Sequence, residues 1–369
     1  MVDSFLQIVN DERRMAALLS ELQSNCAFYL CLGSTSISDV EGISAAGSTP
    51  QYRRLTPAAD AEALVLGQTK TVEKLPVSPL GVVSPVVITR ACLHLTNIAP
   101  QIVDCGAFVP PGIPHFSAGN CPADSVATGL ALPLNIVRSL FDRGFEYGAQ
   151  QSADCRPMIV AECVPGGTTT ALAVLLALGY DAQYSLSGSI PNCNHAMRLE
   201  LVEQGLRQLR GQSLLANPFD ILAAVGDPMQ PFVVGMALAG CRNSSIILAG
   251  GSQMLAVYAL CAALAAQYEV EIADAPIGVI TTKWVAFDPN ARIADLSKQI
   301  GAPLCAASPD FMLSRHKGLQ AYEAFNVKEG VGAGAAMALA YQVLSGDGGL
   351  LMANIDQSYD DMVGTLCST

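Results

Sequence analysis

Charged residues are scarce in this sequence, and clusters of basic residues are absent. Only 14% of the 369 residues are Asp, Glu, Lys or Arg, whereas 51% are hydrophobic, so the chain can bury a large core. The net charge of −12 argues against nucleic acid and anionic membrane surfaces as partners. A small anionic substrate stays possible, because a local pocket of hydrogen-bond donors can outweigh a diffuse negative field.

Motifs that bind metals are also missing. The 12 cysteines are scattered without a C-x-x-C pair, and the four histidines lie far apart in the sequence. We therefore expect no metal site. Because the N-terminus lacks a secretory signal pattern, we expect reduced, mostly buried thiols in a cytoplasmic protein.

One charge-free stretch, residues 243–268, is long enough to resemble a membrane span. It contains the turn Gly250-Gly251-Ser252, which separates a short β-branched run from an alanine-rich run. This pattern favours a buried strand, a glycine turn and a buried helix over a lipid-facing helix. A membrane transporter is thus a poor interpretation, and we expect no membrane partner.

Predicted strands and helices alternate along the second half of the chain. The predicted elements are residues 158–162, 169–178, 200–209, 221–225, 232–239, 246–249, 254–266 and 277–281, preceded by strands at 27–32 and 102–104 and a helical segment at 3–22. Alternation of this kind is typical of a parallel sheet with helices on both faces. We predict a three-layer, Rossmann-like α/β core over residues 27–320, with residues 1–26 and 321–369 forming a smaller helical lobe.

The segment 157–170 is the most informative one. It predicts a buried strand that ends at Glu162, a tight turn at Gly166 and Gly167, and a helix opened by Thr168 and Thr169. Glycines allow close backbone approach, and a helix N-terminus favours an anion such as phosphate. The segment has neither the P-loop nor the dinucleotide-binding spacing, and an ordinary strand-to-helix turn explains it equally well.

Ligands of parallel sheets bind beyond the carboxyl ends of the strands. Three further turns follow predicted strands in this way: Gly226-Asp227-Pro228, Gly250-Gly251-Ser252 and Thr281-Thr282-Lys283. A fourth candidate is Glu329, which precedes a glycine-rich run that includes Gly330 and Gly332. In a surface loop this carboxylate would simply be solvated.

These strings together resemble the nicotinate-nucleotide:dimethylbenzimidazole phosphoribosyltransferase family, in its archaeal-type and cyanobacterial branch. The resemblance runs from Gly81 to the C-terminus, and residues 325–334 form the most specific string. Residues 162–169 correspond to the family motif Glu-x-Gly-x-Gly-Asn-Thr-Thr, with two departures. Val164 stands in place of the first glycine, and Gly167 stands in place of the asparagine.

The resemblance implies phosphoribosyl transfer from nicotinate mononucleotide to a nitrogenous base, a benzimidazole or a purine. The product would be an α-ribotide for the lower ligand of a cobamide, a step of cobalamin biosynthesis. It implies that Glu329 is the catalytic base and that the other pocket residues are Glu162, Lys283, Gly330 and Gly332. The turns that follow the predicted strands give the expected phosphate and ribose contacts, and the resemblance supports those at residues 166–169 and 250–252. The full set is Gly166, Gly167, Thr168, Thr169, Gly226, Asp227, Gly250, Gly251 and Ser252.

The same resemblance implies a homodimer that needs neither a cofactor nor a metal. The alternative is a catalytically silent nucleotide-binding or regulatory protein that keeps the pocket. The departures at Val164 and Gly167 motivate this alternative, whereas the presence of Glu329 in a matching string argues against it.

Overall fold

The computed structural model describes residues 5–119, 121–191, 194–209 and 217–363. Within these residues eight strands form one sheet, in the order β1-β8-β7-β6-β5-β2-β3-β4. All neighbouring strands are parallel except β1, which pairs antiparallel with β8. The strands are β1 Leu6–Asn10, β2 Ala27–Leu32, β3 Gln101–Asp104, β4 Phe116–Ser117, β5 Met158–Cys163, β6 Ile246–Ala249, β7 Ile277–Thr282 and β8 Leu304–Ala307.

Helices cover both faces of the sheet. The α-helices are α1 Glu12–Ser20, α2 Pro50–Leu66, α3 Val86–Thr96, α4 Leu134–Gln151, α5 Gly167–Ala177, α6 His195–Leu209, α7 Pro218–Val225, α8 Met229–Gly240, α9 Ser252–Leu264, α10 Lys283–Ala286, α11 Ile293–Ile300, α12 Lys317–Gln320, α13 Ala333–Val343 and α14 Gly348–Val363. Short 3-10 helices are Ser36–Asp39, Val126–Thr128, Ala265–Tyr268, Phe311–Leu313 and Ala321–Ala324.

A hydrophobic cluster lies between the sheet and the helices on each face of the sheet. Along β2, Tyr29 and Cys31 belong to the cluster formed with α4, α5, α7, α8 and α9, whereas Phe28 and Leu30 belong to the cluster formed with α1, α2, α3, α13 and α14. Successive side chains of a strand point to opposite faces, so β2 is buried on both. Continuous apolar runs of this kind belong to the centre of a parallel sheet, and the predicted three-layer α/β fold is confirmed.

Two segments correct the sequence predictions. Within the segment predicted to be helical, residues 6–10 form β1, because the free edge of β8 offers a backbone partner and Leu6 enters the core. Residues 221–225, predicted as a strand, belong to α7. The Asn217 side chain caps this helix by accepting from the Phe219 N–H, and Pro218 occupies its first turn, as is typical of a helix start.

The division into a core and a helical lobe stays a prediction. β1 is part of the main sheet, α13 packs on β6, β7 and β8, and α14 packs on α3. Residues 1–4 and 364–369 of that lobe lie outside the described part of the chain. The charge-free stretch contains β6 and α9 as predicted, and no described helix has the length and apolarity needed to cross a membrane.

Candidate active site

A cleft opens beyond the carboxyl ends of β5, β6 and β7, and its volume is about 880 Å³ when counted out to open solvent. The turn after β5, the turn after β6 and residues 187–189 line it. Residues 43–47, part of α2 and residues 76–85 line it as well, and the Ala45 N–H donates to the Ser189 hydroxyl at 2.9 Å. The loop at residues 327–331 completes the lining. A cleft at this edge is the usual ligand position in an open parallel sheet.

The turn after β5 has the geometry of an anion site. Gly166 caps α5 with a φ of 85°, a left-handed conformation that favours glycine. Gly166, Gly167 and Thr168 line the cleft at the N-terminus of α5, where a helix favours negative charge. On the neighbouring turn, the Ser252 hydroxyl donates to the carbonyl oxygen of Ser187 at 2.9 Å.

Two glutamates face this cleft together. Glu329 Oε1 accepts from the backbone N–H groups of Gly330 at 3.1 Å and Gly334 at 3.3 Å, and Oε2 accepts from the Thr281 hydroxyl at 3.3 Å. Glu162 accepts from the Val164 N–H at 3.0 Å. The loop that carries Glu329 is tied to β5, because the Val331 N–H donates to the carbonyl oxygen of Glu162.

Burial makes both carboxyl groups weaker acids. It raises the pKa of Glu329 to about 7, although the hydrogen bonds that this group accepts favour the carboxylate and lower its pKa. It also raises the pKa of Glu162 to about 8, with repulsion from Glu329 as the second cause. Both side chains keep partial exposure to the cleft. Near neutral pH Glu329 is therefore partly ionised and can accept a proton, beside Glu162, which is mostly protonated.

A buried ion pair braces the loop that carries Glu329. Lys328 Nζ lies 2.5 Å from Asp288 Oδ2, and both side chains are almost fully buried. Although burial opposes it, hydrogen bonds from Lys328 and Ser187 hold the pKa of Asp288 below its ordinary value. Val327 and Lys328 have φ angles of 67° and 73°, a strained region for such residues.

A third carboxyl group also lines the cleft. Asp60 of α2 lines the cleft, and its Oδ2 accepts from the Cys163 thiol at 3.6 Å. Its buried Oδ1 has no hydrogen-bond partner among the described residues. Burial raises the pKa of Asp60 to about 7. The apolar side chains of Pro76, Val77 and Val82 line the cleft as well.

The structure brings together most, but not all, of the site residues predicted from the sequence. The cleft is lined by Glu162, Gly166, Gly167, Thr168, Gly251, Ser252, Glu329 and Gly330, but not by Thr169, Gly226, Asp227, Gly250, Lys283 or Gly332. Lys283 instead pairs with Glu323 at 2.9 Å and lies over the Trp284 ring. Gly226 follows the helix α7 rather than a strand, which corrects that prediction.

Asp227 lies beneath the anion site instead of in the cleft. It is fully buried and accepts from the Thr170 hydroxyl and the Gln253 amide, both at 2.5 Å. Asp60, Lys328 and Gln253 line the cleft although no local pattern singled them out. Their roles depend on partners far away in the sequence, such as Asp288 for Lys328 and Cys163 for Asp60.

Comparison with known proteins places this chain among the phosphoribosyltransferases. A family model described as phosphoribosyltransferase matches residues 92–275, about half of the chain. In fold, the chain is similar to the crystal structure of CobT from Thermus thermophilus, with a TM-score of 0.60, 15% identity and coverage of 97% of this chain and 95% of that one. A structure of nicotinate-nucleotide-dimethylbenzimidazole phosphoribosyltransferase from the same organism gives a TM-score of 0.58 at 14% identity, covering 97% and 94%.

Similarity in sequence is much higher to cyanobacterial proteins. The UPF0284 protein of Microcystis aeruginosa is 42% identical over 89% of this chain and 91% of its own length, and UPF0284 protein glr4139 of Gloeobacter violaceus is 43% identical over 90% and 87%. The chain therefore belongs to the UPF0284 family, and the resemblance to the nicotinate-nucleotide:dimethylbenzimidazole phosphoribosyltransferases is confirmed.

Proposed function

We propose that the protein transfers the phosphoribosyl group of nicotinate mononucleotide to a nitrogenous base, with Glu329 as the general base. One observation carries the proposal: Glu329 and Glu162 face the same cleft as the N-terminus of α5. An anion site for a phosphate thus lies in the same cavity as a carboxylate of suitable pKa. A general base works best when its pKa is near the operating pH, and that of Glu329 is about 7.

The chemistry requires only one proton acceptor. The bond between C1′ and the nicotinate ring nitrogen breaks, and its electron pair neutralises the pyridinium, so the leaving group needs no proton. The unprotonated ring nitrogen of the incoming base uses its lone pair to form the new bond to C1′ from the opposite face, and the N–H of the same ring gives its proton to Glu329. This inversion converts a β bond to an α bond. General base catalysis contributes about 10²–10⁴-fold, and positioning of the two substrates adds to it.

Different parts of the cleft lining suit the two substrates. The N-terminus of α5 at residues 166–168 favours the phosphate, and the hydroxyl oxygens of Thr168 and Ser252 can accept hydrogen bonds from the ribose. The apolar side chains of Val77 and Val82 suit a flat heteroaromatic ring, with Asp60 as its polar contact. Glu162, with a pKa of about 8, can donate a hydrogen bond to a substrate oxygen at neutral pH. The acceptor is a benzimidazole or a purine, and the product serves as the lower ligand of a cobamide.

Nicotinate release tests this proposal directly. The purified protein is incubated with nicotinate mononucleotide and a panel of bases that includes 5,6-dimethylbenzimidazole and adenine, and free nicotinate is measured. We expect release that depends on the added base. Glu329→Gln keeps the shape of the side chain but removes its basicity, so turnover should fall by about 10²–10⁴-fold while the nucleotide still binds.

Glu146→Gln is the matched control, because this glutamate lies exposed on α4. It should leave turnover unchanged. Binding of nicotinate mononucleotide without release for any base would contradict the proposal and favour a nucleotide-binding or regulatory protein. Near-normal turnover in Glu329→Gln would move the role of the base to Glu162. We also expect a homodimer in the cytoplasm, as the resemblance and the sequence imply.

A further inference from the structure

Gln253 on α9 places a side-chain amide directly beside Gly167. Gln253 lines the cleft and its side chain is buried, with 3% of the residue exposed. A Cβ atom added at Gly167 would lie 2.8 Å from Gln253 Nε2 and 3.2 Å from its Cδ. The carboxamide therefore fills the space into which a side chain at position 167 would extend.

The backbone of Gly167 does not itself require glycine. Gly167 is the first residue of α5, and its φ lies outside the left-handed region. Any residue could adopt this conformation. The contact with Gln253 is thus the closest obstacle to a side chain at position 167, since the next neighbour, Val164 Cβ, lies 3.3 Å from the added atom.

The amide is held in one orientation by buried partners. Gln253 Nε2 donates to Asp227 Oδ2 at 2.5 Å, and Oε1 accepts from Gln230 Nε2 at 3.0 Å. Asp227 in turn accepts from the Met229 N–H at 3.1 Å. A side chain that is already fixed loses little conformational entropy when it binds a ligand.

The second N–H of this amide makes only a long hydrogen bond. An amide nitrogen carries two protons, and Asp227 takes one of them. The other available contact, to Thr170 Oγ1, measures 3.5 Å, which is the outer limit of a hydrogen bond. An oxygen atom in the cleft at the N-terminus of α5 could replace that weak contact.

We propose that Gln253 binds the phosphate of the nucleotide substrate, with Asp227 and Gln230 as its positioning residues. It thereby supplies from α9 the amide that the family motif carries as asparagine at the position of Gly167. This inference rests on the proposed function, and it explains why the protein can hold a glycine there. It also gives Asp227, which does not reach the cleft, a role in substrate binding.

An exchange of the two side chains tests the proposal. Dissociation constants for nicotinate mononucleotide and for its phosphate-free riboside are measured by titration calorimetry. The proteins are the wild type, Gln253→Ala, Gly167→Asn and the double variant. A hydrogen bond to a charged group is worth about 10- to 100-fold in affinity, so Gln253→Ala should weaken nucleotide binding by that factor and riboside binding much less. Gly167→Asn should also weaken nucleotide binding, because the new side chain collides with the amide.

The double variant separates a binding role from a structural one. Removal of the Gln253 amide makes room for Asn at position 167, so the double variant should recover most of the lost affinity for the nucleotide. Thermal unfolding of each variant confirms that it is folded. The proposal is overturned if folded Gln253→Ala binds the nucleotide as the wild type does, or if the double variant binds no better than the weaker single variant.

Base-dependent nicotinate release by the wild type is measured in parallel. Wild-type protein that neither binds nicotinate mononucleotide nor releases nicotinate refutes the proposed function together with this inference. Wild-type turnover with unchanged affinity in Gln253→Ala refutes the inference alone.

Discussion

Turnover should depend on pH through the ionisation of Glu329. Its pKa is about 7 because it is buried, whereas a solvated glutamate titrates near 4.3. The catalytic form is the carboxylate, so activity should rise with pH. With these values, about half of the molecules carry the carboxylate at pH 7 and about 1% carry it at pH 5, so kcat/KM should fall roughly 50-fold between the two. A solvated glutamate would lose less than about one fifth over the same range.

Glu162 provides the diagnostic perturbation. Repulsion from Glu329 is the second cause of the raised pKa of Glu162, after burial. Glu162, with a pKa of about 8, is therefore still mostly protonated in the pH range where Glu329 ionises. Glu162→Gln replaces one neutral side chain with another there, so the midpoint of the pH–rate profile should stay near pH 7.

The assay is kcat/KM for nicotinate release between pH 5 and 9, with Glu146→Gln as the control. The maximal rate of Glu162→Gln can fall for other reasons, so the position of its midpoint is the quantity compared. A wild-type profile that is flat above about pH 5, as a midpoint near pH 4.3 gives, would refute the argument that burial controls the base. A midpoint that moves by about one unit or more in Glu162→Gln would refute the order in which the two glutamates ionise.

Three further predictions concern other parts of the cleft and its support. Asp60→Leu should change the preference among acceptor bases, while the affinity for nicotinate mononucleotide stays the same. Competition between bases measures this preference. An unchanged preference would exclude Asp60 from base recognition. Lys328→Met leaves Asp288 as an unpaired buried charge, so the free energy of unfolding should fall by about 3–5 kcal/mol, and Asp288→Asn in the same chain should recover part of it. Gly334→Ala should lower the free energy of unfolding, measured by chemical denaturation, by about 1–3 kcal/mol. The reason is that a Cβ atom at position 334 would lie 2.2 Å from the backbone carbonyl carbon of Thr281. An unchanged free energy of unfolding would contradict the close contact between α13 and β7.

The central strands could be predicted because their signal is local. Residues 158–161 and 246–249 are continuous apolar runs, each followed within a few residues by a glycine turn, and the structure places both at the centre of the sheet. Their neighbours in space are also apolar, so nothing in the tertiary structure opposes the local preference. The alternation of strands with helices along the chain then predicts that the strands run parallel.

The two wrong assignments fall where the local signal is ambiguous. Residues 6–10 carry apolar side chains that fit a helix or a strand, and pairing with β8, almost 300 residues away, decides the outcome. Residues 221–225 are a short apolar run before a glycine, which resembles a buried strand. Asn217 and Pro218 are the start signals of a helix.

The site shows the same division between local and distant information. Glu162, Glu329 and the turn at residues 166–168 were identified because each lies in a recognisable string. Asp60 and Gln253 were missed because only tertiary contacts bring them to the cleft. Asp60 meets Cys163 across 103 positions, and Gln253 meets Asp227 across 26.

The position of Glu329 depends on both kinds of information. Its string is local, but the left-handed backbone at Val327 and Lys328 is costly for residues with side chains and persists only where surrounding structure holds it. Lys328 supplies that constraint through its buried ion pair with Asp288, 40 positions earlier, and the Thr282 hydroxyl adds a hydrogen bond to the carbonyl oxygen of Lys328 at 2.7 Å. The sequence string therefore identifies the catalytic candidate, whereas the distant contacts determine that its carboxylate faces the cleft.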